Sequence, residues 1–74
     1  MKNQQTLEWN LDTFMEKHKL TVAEVSKRTN IHPNVISRIK NNRQHRIDLY
    51  TIERLLLGLN ISPNELFRYV YKED

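Results

Sequence analysis

The stretch Leu20–Asn42, LTVAEVSKRTNIHPNVISRIKNN, leaves this chain few ways to fold. Thr21 and Glu24 have the spacing of a capping box, in which each side chain satisfies a backbone N–H left free at a helix start. Val22, Ala23 and Val25 then form the apolar side of a short helix over about Val22–Thr29. Asn30 tolerates the left-handed backbone that ends a helix and turns the chain sharply. Ile31 follows as a buried hinge. His32-Pro33 opens the next helix, with Pro33 at the first helical position, where its missing N–H costs nothing. This helix spans about Pro33–Lys40. Ile36 and Ile39 form its buried stripe, Val35 is partly buried beside them, and Asn34, Ser37, Arg38 and Asn41 face outward. Asn41-Asn42 terminates it.

Helices this short draw their stability from packing, so the flanks must supply partners. Upstream, Leu7, Leu11, Phe14 and Met15 recur at helical spacing, with Glu8, Asp12, Glu16 and Lys17 available for the opposite side. The pattern predicts a first helix with Thr6 as N-cap and an end near His18-Lys19. Met1–Thr6 lacks periodicity and reads as a frayed lead-in. Trp9 reads as core edge, with an interface position as the alternative. Downstream of a basic loop, Arg43–Ile47, Asp48 caps a fourth helix with apolar positions Leu49, Ile52, Leu55, Leu56 and Leu59. Gly58 inside that helix costs about 1 kcal/mol relative to Ala, which is tolerated where another backbone passes close. Asn60 is a left-handed stop. Ser62-Pro63-Asn64-Glu65 repeats the capping signature, and a fifth helix carries Leu66, Phe67 and Val70 before fraying at Tyr71–Asp74. With no strict apolar/polar alternation there is no strand signal. The expectation is an all-α fold of five short helices, one domain over residues 1–74 with its core at about 7–70.

At 74 residues, such a domain buries only ~60 % of its unfolded surface, so its core is thin and a partner subunit would help. No apolar run approaches the ~18 residues of a membrane span, and no signal-peptide core is present. Cysteine is absent, which removes disulfides and thiolate metal sites and fits a reducing cytosol. The expected location is cytoplasmic, with the nucleoid as the site of action. His18, His32 and His45 stand fourteen and thirteen residues apart, a spacing that matches no common metal pattern. There is no nucleophile–base constellation and no glycine-rich phosphate loop, so we expect no enzyme, no metal, no cofactor and no small-molecule effector.

Charge is unevenly placed. From Val25 to Ile47 there is no acid, whereas Lys27, Arg28, Arg38, Lys40, Arg43 and Arg46 are basic. All nine acids lie outside that segment. A charge run is ordinarily a solvated face. Here its coincidence with the helix pair favours a polyanionic partner.

The order and spacing of these pieces resembles the phage-repressor type of helix-turn-helix domain, the Cro/XRE-like family with a lambda-repressor-like fold. The resemblance rests on Leu20-Thr21 with Ala23-Glu24-Val25, the turn Asn30-Ile31, and Ile36-Ser37-Arg38-Ile39 followed by Asn41. Further on it rests on Leu49 with Thr51-Ile52, then Leu59-Asn60-Ile61-Ser62 with Glu65-Leu66. It covers about Leu7–Val70. The sequence departs from the family in several places. Val22 stands where Gln is frequent, so a side-chain contact at the start of helix 2 is lost while the backbone N–H remains. Asn42, Lys19, Asn30 and Asn60 occupy positions often held by Gly. Ser26 replaces a usual Ala, and the loop before Asp48 is one residue longer and lacks the usual Pro.

The resemblance implies double-stranded DNA as partner, with helix 3 in the major groove, whose base edges carry a sequence-specific donor and acceptor pattern. By position, Asn34, Ser37 and Arg38 are the base-contacting candidates, followed by His32 and Val35. An arginine can donate two bonds to guanine, an asparagine can pair with adenine, and a valine can touch a thymine methyl. The bland alternatives are a solvated Arg38, a helix-serving Asn34, a capping His32 and a core-edge Val35. Phosphate contacts are expected from the helix-2 start at Thr21 and Val22 and from Lys27, Lys40, Asn41, Arg43, His45 and Arg46. The expected function is a transcriptional regulator that binds a near-palindromic operator as a homodimer. Candidate interface residues are Leu57, Tyr50, Trp9, Tyr69 and Tyr71. The alternative is a small adaptor or antitoxin-like module that docks a protein through the same fold.

Overall fold

The computed structural model describes residues 3–73 of the chain. Five helices are joined by a two-stranded antiparallel ribbon, in the order β1 Asn3–Trp9, α1 Leu11–His18, α2 Val22–Thr29, α3 Pro33–Lys40, α4 Leu49–Leu59, α5 Pro63–Leu66 and β2 Phe67–Glu73. The fold is therefore mostly helical but not all-α.

The three central helices follow their local signals. Thr21 Oγ1 accepts the Glu24 N–H at 3.1 Å while the Glu24 carboxylate accepts the Thr21 N–H at 2.8 Å. His32 caps α3 through Nδ1, which accepts the Asn34 N–H at 3.1 Å. Asp48 caps α4 by accepting the Thr51 N–H at 2.9 Å. The Glu65 carboxylate accepts the Ser62 N–H at 3.1 Å at the start of α5. Lys19, Asn30, Asn42 and Asn60 all take positive φ, between 56° and 60°. Asparagine adopts this conformation more readily than most side chains, which is how the chain turns at three of these corners without glycine.

Both ends of the helical body differ from the sequence expectation. Thr6 does not cap a helix: the segment expected to be a frayed lead-in, together with Leu7–Trp9, is strand, and α1 begins at Leu11 after Asn10. Met1 and Lys2 lie outside the described residues. The fifth helix is a single turn, and Phe67 and Val70 belong to β2. Aromatic and β-branched residues dominate Phe67–Tyr71 and suit a pleated strand better than a helix once a partner strand is available. In the ribbon Trp9 faces Phe67, Glu8 faces Arg68, Leu7 faces Tyr69 and Thr6 faces Val70. The Asn10 N–H continues the pairing to the Leu66 carbonyl at 2.6 Å. Arg68 Nε bonds Glu8 at 3.2 Å, and its Nη1 reaches Asp12 at 3.2 Å and Asn10 Oδ1 at 3.1 Å. That side chain ties the ribbon to the start of α1.

The core is Trp9, Leu11, Met15, Val25, Ile31, Ile36, Ile39, Leu55, Leu59 and Leu66. Leu7 and Leu49, expected inside, are 58 % and 81 % exposed. Leu7 shares a face of the ribbon with Trp9 but lies two residues farther from the helical body, and Leu49 sits in the first turn of α4 beyond the reach of the core. The helix pair is braced from α4. A Cβ added to Gly58 would fall 2.7 Å from the Arg28 carbonyl oxygen and 2.8 Å from Thr29 Cγ2. Gly58 is thus what lets α4 and the end of α2 approach.

Candidate nucleic-acid interface

The turn between α2 and α3 is fixed by three side chains. The Ser26 hydroxyl donates to the Ile31 carbonyl, and the Thr29 hydroxyl donates to the Val25 carbonyl at 2.7 Å. From α4, Arg54 Nη1 donates to the Asn30 carbonyl at 3.1 Å and approaches the Thr29 carbonyl at 3.4 Å. These are the carbonyls left without partners where α2 ends. The Arg54 guanidinium also lies 4.5 Å from the centre of the Tyr50 ring, which helps to hold it there.

On α3, Asn34 and Arg38 are one turn apart and exposed, and Ser37 between them is half-buried. His32 is exposed and spends Nδ1 on the cap, so its Nε2 edge remains available. Val35 is half-buried against the core and lines a shallow depression with Gln44, Ile47 and Thr51. At the start of α2, Thr21 is exposed and Val22 packs its side chain inward. Val22 therefore presents backbone rather than side chain. Lys27, Lys40, Asn41, Arg43, His45 and Arg46 are all exposed. Among the described residues the ion pairs are those of Arg68, so the cations of α2, α3 and the following loop carry uncompensated charge.

The loop after α3 has its own scaffold. Asn42 takes φ 60°, and the Arg43 N–H bonds the Arg38 carbonyl at 2.7 Å. The Trp9 backbone N–H donates to Asn42 Oδ1 at 3.0 Å, and its indole Nε1–H donates to the Gln44 carbonyl at 2.6 Å. Gln44 Nε2 in turn donates to the Arg46 carbonyl at 2.6 Å. Asp48 closes the acid-free segment. Its carboxyl is held below the ordinary range by the Thr51 side chain and backbone N–H.

The sequence pattern of the Cro/C1-type HTH DNA-binding domain matches residues 10–72. The chain belongs to that family. A protein described as an uncharacterized HTH-type transcriptional regulator, YozG, from Bacillus subtilis (strain 168), is 32 % identical over 65 residues. The aligned part covers 88 % of this chain and 77 % of that protein. No solved structure matches.

Within this Cro/C1-type domain, α2 and α3 are consecutive eight-residue helices joined by a short turn. The scaffold residues Trp9, Asn42, Gln44 and Arg54 were not assigned site roles from the sequence. The partners through which they brace the site lie 24 to 35 residues away, and only Asn42 carried a local signal, as a turn former. Among the described residues, no helix is long and apolar enough to cross a membrane.

Proposed function

We propose that this chain is a sequence-specific regulator of transcription that places α3 in the major groove of double-stranded DNA. Asn34, Ser37 and Arg38 read base edges, with His32 and Val35 at their margin. Arg38 is suited to the paired acceptors of guanine and Asn34 to adenine. Thr21 and Val22 at the start of α2, with Lys27, Lys40, Asn41, Arg43, His45 and Arg46, contact phosphates and set the register. The observation that carries this reading is the exposed, unpaired set of cations around α3, in a segment that holds no acid from Val25 to Ile47. A domain that docks only proteins has no need of that segregation.

One α3 spans about half of a selective site. The active species is accordingly a homodimer on a near-palindromic operator, its half-sites about one helical turn, ~34 Å, apart. Tyr50, Leu57 and Tyr69 are exposed and available to a partner copy. Trp9 is 6 % exposed and belongs to the core, and the Tyr71 side chain lies outside those described.

The test is selection of bound sequences from random duplex DNA, followed by mobility shift on the selected site at two salt concentrations. The expected result is a two-fold-related site and an affinity that falls steeply with salt, as release of counterions requires. Absence of DNA binding at low salt overturns the reading.

A further inference from the structure

The cations Arg43, His45 and Arg46 sit on a loop without regular secondary structure, and DNA binding needs them held in fixed relation to α3. The Arg43 N–H bond to the Arg38 carbonyl anchors the loop at its start. The Asp48 cap of α4 anchors it at its end. Among the described residues, the one hydrogen bond that reaches the intervening Gln44–Ile47 segment from the rest of the fold comes from Trp9. Trp9 is placed for this by its own surroundings. It pairs with Phe67 across the ribbon, the ring centres are 4.9 Å apart with a tilt of 33°, and the residue is buried. Its two N–H groups point at consecutive stations of the loop, Asn42 Oδ1 and the Gln44 carbonyl. Gln44 passes the constraint on by bonding the Arg46 carbonyl.

From this geometry we infer that Trp9 is a positioning residue for DNA binding. Its backbone and indole N–H groups fix Asn42 and Gln44, so that Arg43 meets the phosphates in register with α3. The inference rests on the DNA-binding function proposed above. Trp9 touches no DNA itself. Its contribution is to keep the loop from having to order when DNA arrives, which would otherwise lower affinity. The effect acts on phosphate contacts, so it changes affinity for all sequences alike and leaves base preference in place.

The experiment uses Trp9→Phe, which keeps an aromatic ring against Phe67 and removes the indole donor, and Asn42→Gly, which keeps the left-handed corner and removes the acceptor. Arg43→Ala is made alone and combined with each. Affinity for the selected site and for unrelated duplex is measured over a range of salt, well below each variant's unfolding midpoint as followed by circular dichroism. Loss of one such bond corresponds to a fall in affinity of up to roughly tenfold. We expect that fall on both duplexes, with a shallower salt dependence. We also expect it to vanish in the Arg43→Ala background, because residues acting through one another are not additive. A purely structural role would lower the midpoint and leave the affinity and salt slope of folded protein unchanged. Either that outcome or full additivity with Arg43→Ala overturns the inference. Should Trp9→Phe not fold, Asn42→Gly decides by the same criteria. Failure of the parent protein to bind any duplex removes the DNA-binding function and this inference together, whereas binding by the parent with unaltered variants removes only the inference.

Discussion

Gly58 of α4 lies against Thr29 at the end of α2, so close that a Cβ on Gly58 would stand 2.8 Å from Thr29 Cγ2 and 3.0 Å from its Cα. The nearest atom of all is the Arg28 carbonyl oxygen at 2.7 Å, which is backbone and cannot swing aside. Gly58→Ala would gain about 1 kcal/mol of helix propensity but force α2 away from α4 at a cost of ~1–3 kcal/mol. The expected net effect is destabilisation, read as a lower urea midpoint with an unchanged m-value. A higher midpoint would show that the helices are not in contact there.

Arg38 and Arg43 are both exposed arginines, one on the outer side of α3 and one in the loop beyond it. Arg38→Ala should cost ~1–3 kcal/mol at one base position and relax preference there. Arg43→Ala should weaken binding to every duplex alike and reduce the salt slope by about one. Site selection with each variant, at fixed salt, separates the two roles.

Asp48 and Glu65 each cap a helix and are held below their ordinary values of 3.8 and 4.5. For Asp48 the main cause is the Thr51 side chain, and for Glu65 the Ser62 backbone N–H. A carboxyl depressed in the folded state stabilises the fold at pH above its unfolded value, and that contribution is lost as pH falls through the lower folded value. The melting temperature should therefore decline with acidification below about pH 4.5. Asp48→Asn retains a good N-cap residue without the titrating charge. Its melting temperature should fall less steeply over the same range; an unchanged slope would count against the cap as a source of acid sensitivity.

Arg68 gathers Glu8, Asp12 and Asn10 at 3.1–3.2 Å. The pairs are partly exposed, so solvent screens them, and Arg68→Ala should cost only about 1 kcal/mol. The loss should concentrate in the ribbon. Hydrogen exchange would show it as faster exchange at β1 and β2 amides, with the α2 and α3 amides little changed.

Helices α2, α3 and α4 were legible because their signals are local. Thr21 with Glu24, His32-Pro33 and Asp48 each state a helix start within three residues, and Asn30 and Asn60 state the stops. The ribbon was not legible for the complementary reason. Leu7 and Leu11 fit a helical stripe as well as Leu7 and Trp9 fit a strand, and only Phe67–Val70, on the far side of five helices, decides between them. A strand's preference is realised through its neighbours, and those neighbours are not adjacent in sequence. The exposed face of α3 followed from periodicity, and the basic segment from counting charges. The support beneath that segment, Trp9 to Asn42 and Gln44, depends on side chains that meet only after the chain has closed.

The distance along the chain between β1 and β2 sets an order of events. Glu8 and Arg68 are 60 residues apart, whereas the contacts within each helix span a few residues. Closing so long a loop is entropically costly until the helices between have compacted and brought its ends together. The helical body is therefore expected to assemble first and the ribbon to zip afterwards. Weakening Phe67 should accelerate unfolding while barely slowing folding, the kinetic signature of contacts made after the transition state. Since Trp9 is the last residue of β1, its bonds to Asn42 and to the Gln44 carbonyl are expected to form at this closing step. On that order, a compact chain precedes one in which the loop after α3 is tied to β1.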